Sequence, residues 1–227
     1  MGEVTGVVLD KTTRGPWTLQ APSWIHRGDP AYPPVLSSLL GNDAPPRIAV
    51  LGDLTILDQQ SLALFCSVKC PGNLILQTYD LAQRLRQSGV TVIGGFHSPM
   101  EQECLTILLR GTQPVIVCPA RSLSGMRIPA AYKQPLEQGR MLLLSPFADK
   151  ERRATVETAI LRNRLVAAVA GAIFVAHAEP QSKTERFCCE VLAWQKPLYT
   201  LAGHANGHLL TMGATPLRPD NVSLLVR

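Results

Sequence analysis

The 227-residue chain predicts an α/β domain on a mostly parallel sheet with helices on both faces. Two observations carry that expectation. From Arg47 onward, short apolar runs alternate with amphipathic segments at strand–helix–strand spacing. The composition, 46% hydrophobic and only 17% charged, also suits a sheet covered on both sides.

Residues 1–46 are expected to form an extended arm packing on the core domain of 47–227, because breakers recur at Gly15-Pro16, Ala21-Pro22, Pro33-Pro34 and Pro45-Pro46. One short helix is predicted there, over Pro34–Leu40. Trp17 and Trp24 are read as pins for the arm, with base stacking as the sharper alternative.

Strands are then predicted at Ile48–Leu51, Leu62–Cys66, Val90–Ile93, Val115–Cys118, Met141–Leu144, Ala172–Ala176 and Pro197–Leu201. Between them fall helices over Asn73–Ser88, Glu101–Arg110, Ala130–Gln138, Thr155–Ala170 and Thr184–Gln195. The first shows its period through Leu74, Leu81 and Leu85, and Gly89 ends it.

Charge and cysteine usage narrow the function classes. Lys and Arg number 22 against 17 Asp and Glu, a net +5 that permits a polyanionic partner without requiring one. The six cysteines show no zinc-ligand spacing, so reduced thiols in a cytoplasmic protein are expected, with no metal and no cofactor. Met1–Asp10 has neither a basic start nor a long apolar run, and Leu165–Ala178 is too short to span a bilayer; no membrane partner is expected.

In open α/β sheets, ligands bind beyond the carboxyl ends of the strands. Those ends carry Ser67 and Lys69, Gly94-Gly95 with His97-Ser98, Arg121 and Ser122, Ser145, and His177 with Ser182-Lys183-Thr184. Glycine lets backbone approach a ligand, Lys69 offers a charge to a phosphate, and Ser182 or Thr184 can cap the next helix. The bland counterpart is a tight turn at Gly94-Gly95 and ordinary loop polarity at His97. No GxGxxG or GxxxxGK[ST] run is present, and no catalytic triad assembles; Glu101 and Glu103 are candidate carboxylates by position only. The sharpest local feature is Arg162-Asn163-Arg164 inside an apolar helix. Two guanidinium groups are costly to bury there, so they are expected to reach solvent, a carboxylate or a phosphate.

These segments together resemble the DNA-processing protein A (DprA/Smf) family, from about Asp29 to about Leu217. The likeness begins at Tyr32-Pro33-Pro34-Val35-Leu36, Pro45-Pro46 and Gly52-Asp53-Leu54. Gly89–Gly95 is similar to the family's G-V-T-V-V-S-G, and Leu144–Ala148 to its L-S-E-F-P. The most specific match is Arg162–Ala167, similar to R-N-R-I-I-A; Ala178–Ser182 and Asn206–Ala214 follow in family order.

The resemblance implies a Rossmann-like domain that binds single-stranded DNA, forms homodimers and helps load a recombinase onto incoming DNA, without being an enzyme. Carried over position by position, it implies DNA or phosphate contacts at Ser67, Lys69, Gly95, Arg162, Asn163, Arg164 and Ser182. The chain departs from the pattern where Cys66 and Val68 replace the glycine and arginine of G-S-R, and where Lys183 replaces the glycine after Ser182. Two alternatives stay open: a small-nucleotide binder, up to a nucleoside monophosphate phosphoribohydrolase-like enzyme, and an interaction scaffold with a vestigial pocket. A filled pocket with Arg162 and Arg164 locked in internal salt bridges would favour the scaffold.

Overall fold

The computed structural model describes residues 21–218. Nine strands form one open sheet: β1 (Ser23–His26), β2 (Arg47–Gly52), β3 (Ser61–Phe65), β4 (Thr91–Gly94), β5 (Val115–Val117), β6 (Met141–Ser145), β7 (Ala172–Val175), β8 (Leu198–Leu201) and β9 (Thr215–Leu217). Among the described residues, seven α-helices accompany them: α1 (Pro34–Leu40), α2 (Gly72–Leu85), α3 (Pro99–Leu109), α4 (Ala130–Glu137), α5 (Val156–Val169), α6 (Lys183–Ala193) and α7 (Gly207–Thr211).

The spatial order is β1-β2-β6-β5-β4-β3-β7-β8-β9. The run from β6 to β9 is parallel, whereas β1 and β2 join one edge antiparallel. Every residue of β3 and β6 is buried, as expected of strands covered on both faces. One layer packs α1 and the apolar faces of α5 and α6 through Leu36, Leu165, Val166, Phe187 and Val191. The opposite layer packs α2 and α3 through Leu74, Leu81, Leu85, Cys104 and Leu108.

The expected alternation is present, with element ends moved by a residue or a few. Residues 21–46 do more than lie on the core: Ser23–His26 pairs with Val50–Arg47 and extends the sheet. Trp24 is partly buried beneath the Arg47 guanidinium, 4.0 Å from the ring centroid, so it acts as a pin. Trp17 lies outside the described residues.

The order also contains a reversal. From β3 the chain steps outward through β4, β5 and β6, then returns along α5 to β7 on the other flank of β3. Adjacent connections therefore diverge at β3 and β7, and a crevice opens beyond their carboxyl ends.

Candidate nucleic-acid interface at the strand ends

The crevice holds a cavity of about 330 Å³. Phe65 and Cys66 form its floor at the end of β3, Glu101 enters from α3, Ile160 and Asn163 from α5, and Lys183, Thr184, Arg186, Phe187 and Glu190 from α6. Phe65 and Phe187 meet edge to face, with ring centroids 4.9 Å apart, which fixes the floor against the first turns of α6.

Glu101 organises the wall next to β3. Ser98 and Glu101 form a reciprocal capping box at the start of α3, and Pro99 stands at the first helical position. The Glu101 carboxylate accepts the N–H groups of Cys66 at 2.9 Å, His97 at 2.8 Å and Ser98 at 3.4 Å. The protein's own anion thus occupies the α3 N-terminus, where a phosphate would otherwise find donors. Gly94 belongs to β4 and accepts the Cys118 N–H; its open side faces the Phe96 ring. The His97 side chain is exposed, and Ser98 is buried as the cap.

Arg162 is expected to reach solvent, a carboxylate or a phosphate, and solvent is corrected: the side chain is buried. It is 4% exposed, its Nη1 donates to the Cys118 carbonyl at 2.9 Å, and its Nε donates to Asn163 Oδ1 at 2.8 Å. The guanidinium lies against Gly95 so closely that a methyl group there would overlap it. Burial lowers its affinity for the proton, while the nearby Glu101 charge opposes that effect. Gly95 therefore serves a close approach by a side chain of the same molecule.

Arg164 donates from Nε to Glu190 at 2.6 Å and from Nη1 to Asp43 at 2.9 Å. Those bonds raise its pKa above the ordinary arginine value, Asp43 first. It joins α5 to α6 and to the turn after α1. Asn163, partly buried between the two arginines, reaches the cavity.

Ser67 is also structural. Its N–H donates to the His177 carbonyl at 2.9 Å and its hydroxyl accepts the Glu179 N–H at 3.0 Å, which continues the β3–β7 seam past the strands. Lys69 is exposed on the same loop. Ser182 caps α6 by accepting the Glu185 N–H, and Glu185 in turn accepts the Gln181 N–H at 2.7 Å. Lys183 and Thr184 line the cavity. Arg186, not anticipated, stands one turn beyond Lys183; the signal was two cations at i,i+3 in the first turn of a predicted helix.

The electrostatic balance follows from these pairings. Glu101 is satisfied by main-chain donors and Glu190 by Arg164, so the two acids of the cavity wall are answered from within. The exposed charges at the rim are Lys183 and Arg186, with Glu157 near Lys183. Among the described residues, no group of His, Cys, Asp and Glu side chains is placed to hold a metal ion.

The sequence profile of the family described as DNA recombination-mediator protein A matches residues 23–218, the whole of the sheet described above. The chain belongs to the DNA recombination-mediator protein A family. Among solved structures, DNA processing protein A from Streptococcus pneumoniae superposes with a TM-score of 0.75 at 20% identity, covering 92% of this chain and 76% of that one. The Helicobacter pylori DNA processing protein A, whose structure concerns its single-stranded DNA binding mode, gives 0.71 at 20% identity, covering 92% and 97%. The molybdenum cofactor carrier protein of Chlamydomonas reinhardtii shares the fold more distantly, with a TM-score of 0.51 at 13% identity over 74% of this chain and 98% of that one. No curated protein matches the chain. Within the DNA recombination-mediator protein A family, the mostly parallel Rossmann-like sheet is the expected architecture, and this chain has it. No helix among the described residues is long and apolar enough to cross a membrane.

Proposed function

We propose that this chain binds single-stranded DNA along the carboxyl edge of its sheet and acts as a mediator, not a catalyst, in DNA uptake and recombination. The supporting observation is the crevice at β3 and β7, whose acids are neutralised internally while Lys183 and Arg186 face outward. Phosphates bound there and at the exposed Lys69 would give sequence-tolerant, salt-sensitive binding. Asn163 and Thr184 supply neutral hydrogen-bonding groups inside the cavity. Arg162 and Arg164 hold the walls in place and are assigned no direct contact. Homodimerisation, a recombinase partner and a cytoplasmic location belong to the same reading through family membership.

A labelled single-stranded oligonucleotide, titrated at two salt concentrations, tests the proposal. Replacing Lys183 or Arg186 with alanine should weaken binding for all sequences and reduce the log–log salt slope by about 0.7 per lost phosphate contact. Unchanged affinity and slope in the double variant would remove the interface from this edge. A second reading is favoured by the cavity volume of about 330 Å³, which suits a small ligand such as a nucleotide. Free nucleoside monophosphates included as competitors distinguish it: saturable monophosphate binding without oligonucleotide binding selects the small-nucleotide site, and a hydrolysis assay then follows.

A further inference from the structure

Asn163 and Glu190 line the same cavity from α5 and α6, and each engages the protein through only one end of its polar group. The orientation of the Asn163 amide is fixed. Arg162 Nε can only donate, so the atom 2.8 Å from it is the amide oxygen, and Nδ2 is the end left over. No acceptor among the described residues meets Nδ2, and the atom is not sealed from solvent. Glu190 is its complement. Oε1 takes the Arg164 Nε–H at 2.6 Å, which neutralises the carboxylate, while Oε2 meets no donor among the described residues.

We propose that this cavity reads a single lactam nucleobase, guanine or thymine, by its pairing edge. Asn163 Nδ2 donates to the base carbonyl, and Glu190 Oε2 accepts the adjacent ring N–H. Adenine and cytosine present the reverse order, an amino donor beside a ring-nitrogen acceptor. Either would set donor against donor and acceptor against acceptor, and leave both protein groups unanswered. The volume of about 330 Å³ is near the lower limit for ligand pockets, so a base inside it lies within reach of both walls. Ile160 and the buried Phe187 ring offer apolar surface to the face of the base. Phe65 holds that ring edge to face at 4.9 Å, which keeps the platform rigid.

That the base arrives on a strand rests on the DNA-binding reading: the flanking phosphates then fall at the rim, where Lys183 and Arg186 are exposed. A free nucleoside monophosphate presents the same base edge with a single phosphate. One base read among many leaves mixed sequences nearly equal in affinity. The preference therefore emerges only against a background of cytosine or adenine.

The test is fluorescence anisotropy of the full chain with labelled oligodeoxycytidine carrying one central thymine, guanine, adenine or N3-methylthymine. Thymine and guanine should tighten binding about tenfold over adenine and over the unsubstituted strand, the discrimination of one bidentate base contact. N3-methylthymine keeps the ring and loses the N–H, so it should bind like adenine. Asn163→Asp keeps an oxygen for Arg162 but has no donor to offer, so its thymine-to-adenine affinity ratio should fall to about one. The proposal is overturned if thymine and N3-methylthymine bind alike in the wild-type protein, or if Asn163→Asp retains the thymine advantage. If no strand binds, the DNA-binding reading fails by itself, and calorimetry with the deoxynucleoside monophosphates decides the pocket. Thymidine and deoxyguanosine monophosphates bound in preference to the other two sustain it; equal or absent binding overturns it.

Discussion

Replacing Arg162 with alanine should act on folding before it acts on any ligand. The substitution deletes a charge-assisted bond to the Cys118 carbonyl, a group worth about 1.5–3 kcal/mol, and leaves that carbonyl unanswered in a site 4% exposed. It also removes the cation beside Glu101. Losing one member of such a buried set costs about 3–5 kcal/mol, or a fall in Tm of about 10 °C for a domain of this size. Gly95 supplies an internal control. The three atoms nearest to a methyl on Gly95 all belong to Arg162, and Gly95 has no positive φ, so the guanidinium is the first obstacle to a side chain there. Gly95→Ala should therefore cost about 2–4 kcal/mol in the wild-type background, as expected for displacing a buried bonded group, and close to nothing beside Arg162→Ala. Urea denaturation of the four proteins, with a common m-value, measures the cycle. Additive losses, or a wild-type midpoint for Arg162→Ala, would refute the lock. Arg164→Ala, whose partner Asp43 is 62% exposed, should lose only about 1 kcal/mol.

Three other outcomes follow from contacts described or closely tied to the site. Glu101→Gln keeps the shape but weakens acceptance of the three main-chain donors, so it should cost about 2–3 kcal/mol in denaturant unfolding and loosen the loop at Cys66. Asn206 donates to Ala176, Thr200 and Leu201 and meets His177 Nδ1 at 2.9 Å, all while fully buried; Asn206→Ala should cost about 3 kcal/mol, and equal stability by calorimetry would contradict that role. Burial pushes the Cys104, Cys118 and Cys188 thiols from 9.0 up to about 12. Because their folded pKa values are raised, the folded state keeps protons that the unfolded chain releases, and stability is lost as pH climbs from 9 towards 12, by up to about 1.4 kcal/mol per pH unit per thiol. Cys118→Ala should flatten that alkaline slope, measured as unfolding midpoint against pH.

The alternation of apolar runs made the interior strands legible, because a buried parallel strand is nearly continuous in hydrophobic residues, as β3 and β6 are. The edges were not. Strand β1 has four residues and β9 only three, Thr215-Pro216-Leu217, too few to show a period and, in β9, interrupted by proline. The antiparallel pairing of β2 with β6 also leaves no mark on either strand's pattern. At the site, Asn163, Lys183 and Thr184 were found by position and do line the cavity. Glu101 carries a readable capping signal, Ser98-x-x-Glu101, which the structure realises as a capping box. The burial of Arg162 has no such signal. The cost of burying a guanidinium is met here by a main-chain carbonyl 44 residues away, and no local pattern announces such a partner.

The sheet order has a consequence for whatever is attached to this domain. The first and last described strands sit on opposite flanks, eight strand spacings apart, or nearly 40 Å at about 4.8 Å each. A direct join of Ser23 to Leu217 would need about 12 extended residues, so a permutant trimmed to residues 23–217 should not close through a shorter linker. Conversely, a tag, tether or companion domain entering before Ser23 and another leaving after Leu217 diverge from each other. The two attachment points can therefore be engineered independently, one for immobilisation and the other for a reporter, without crowding each other.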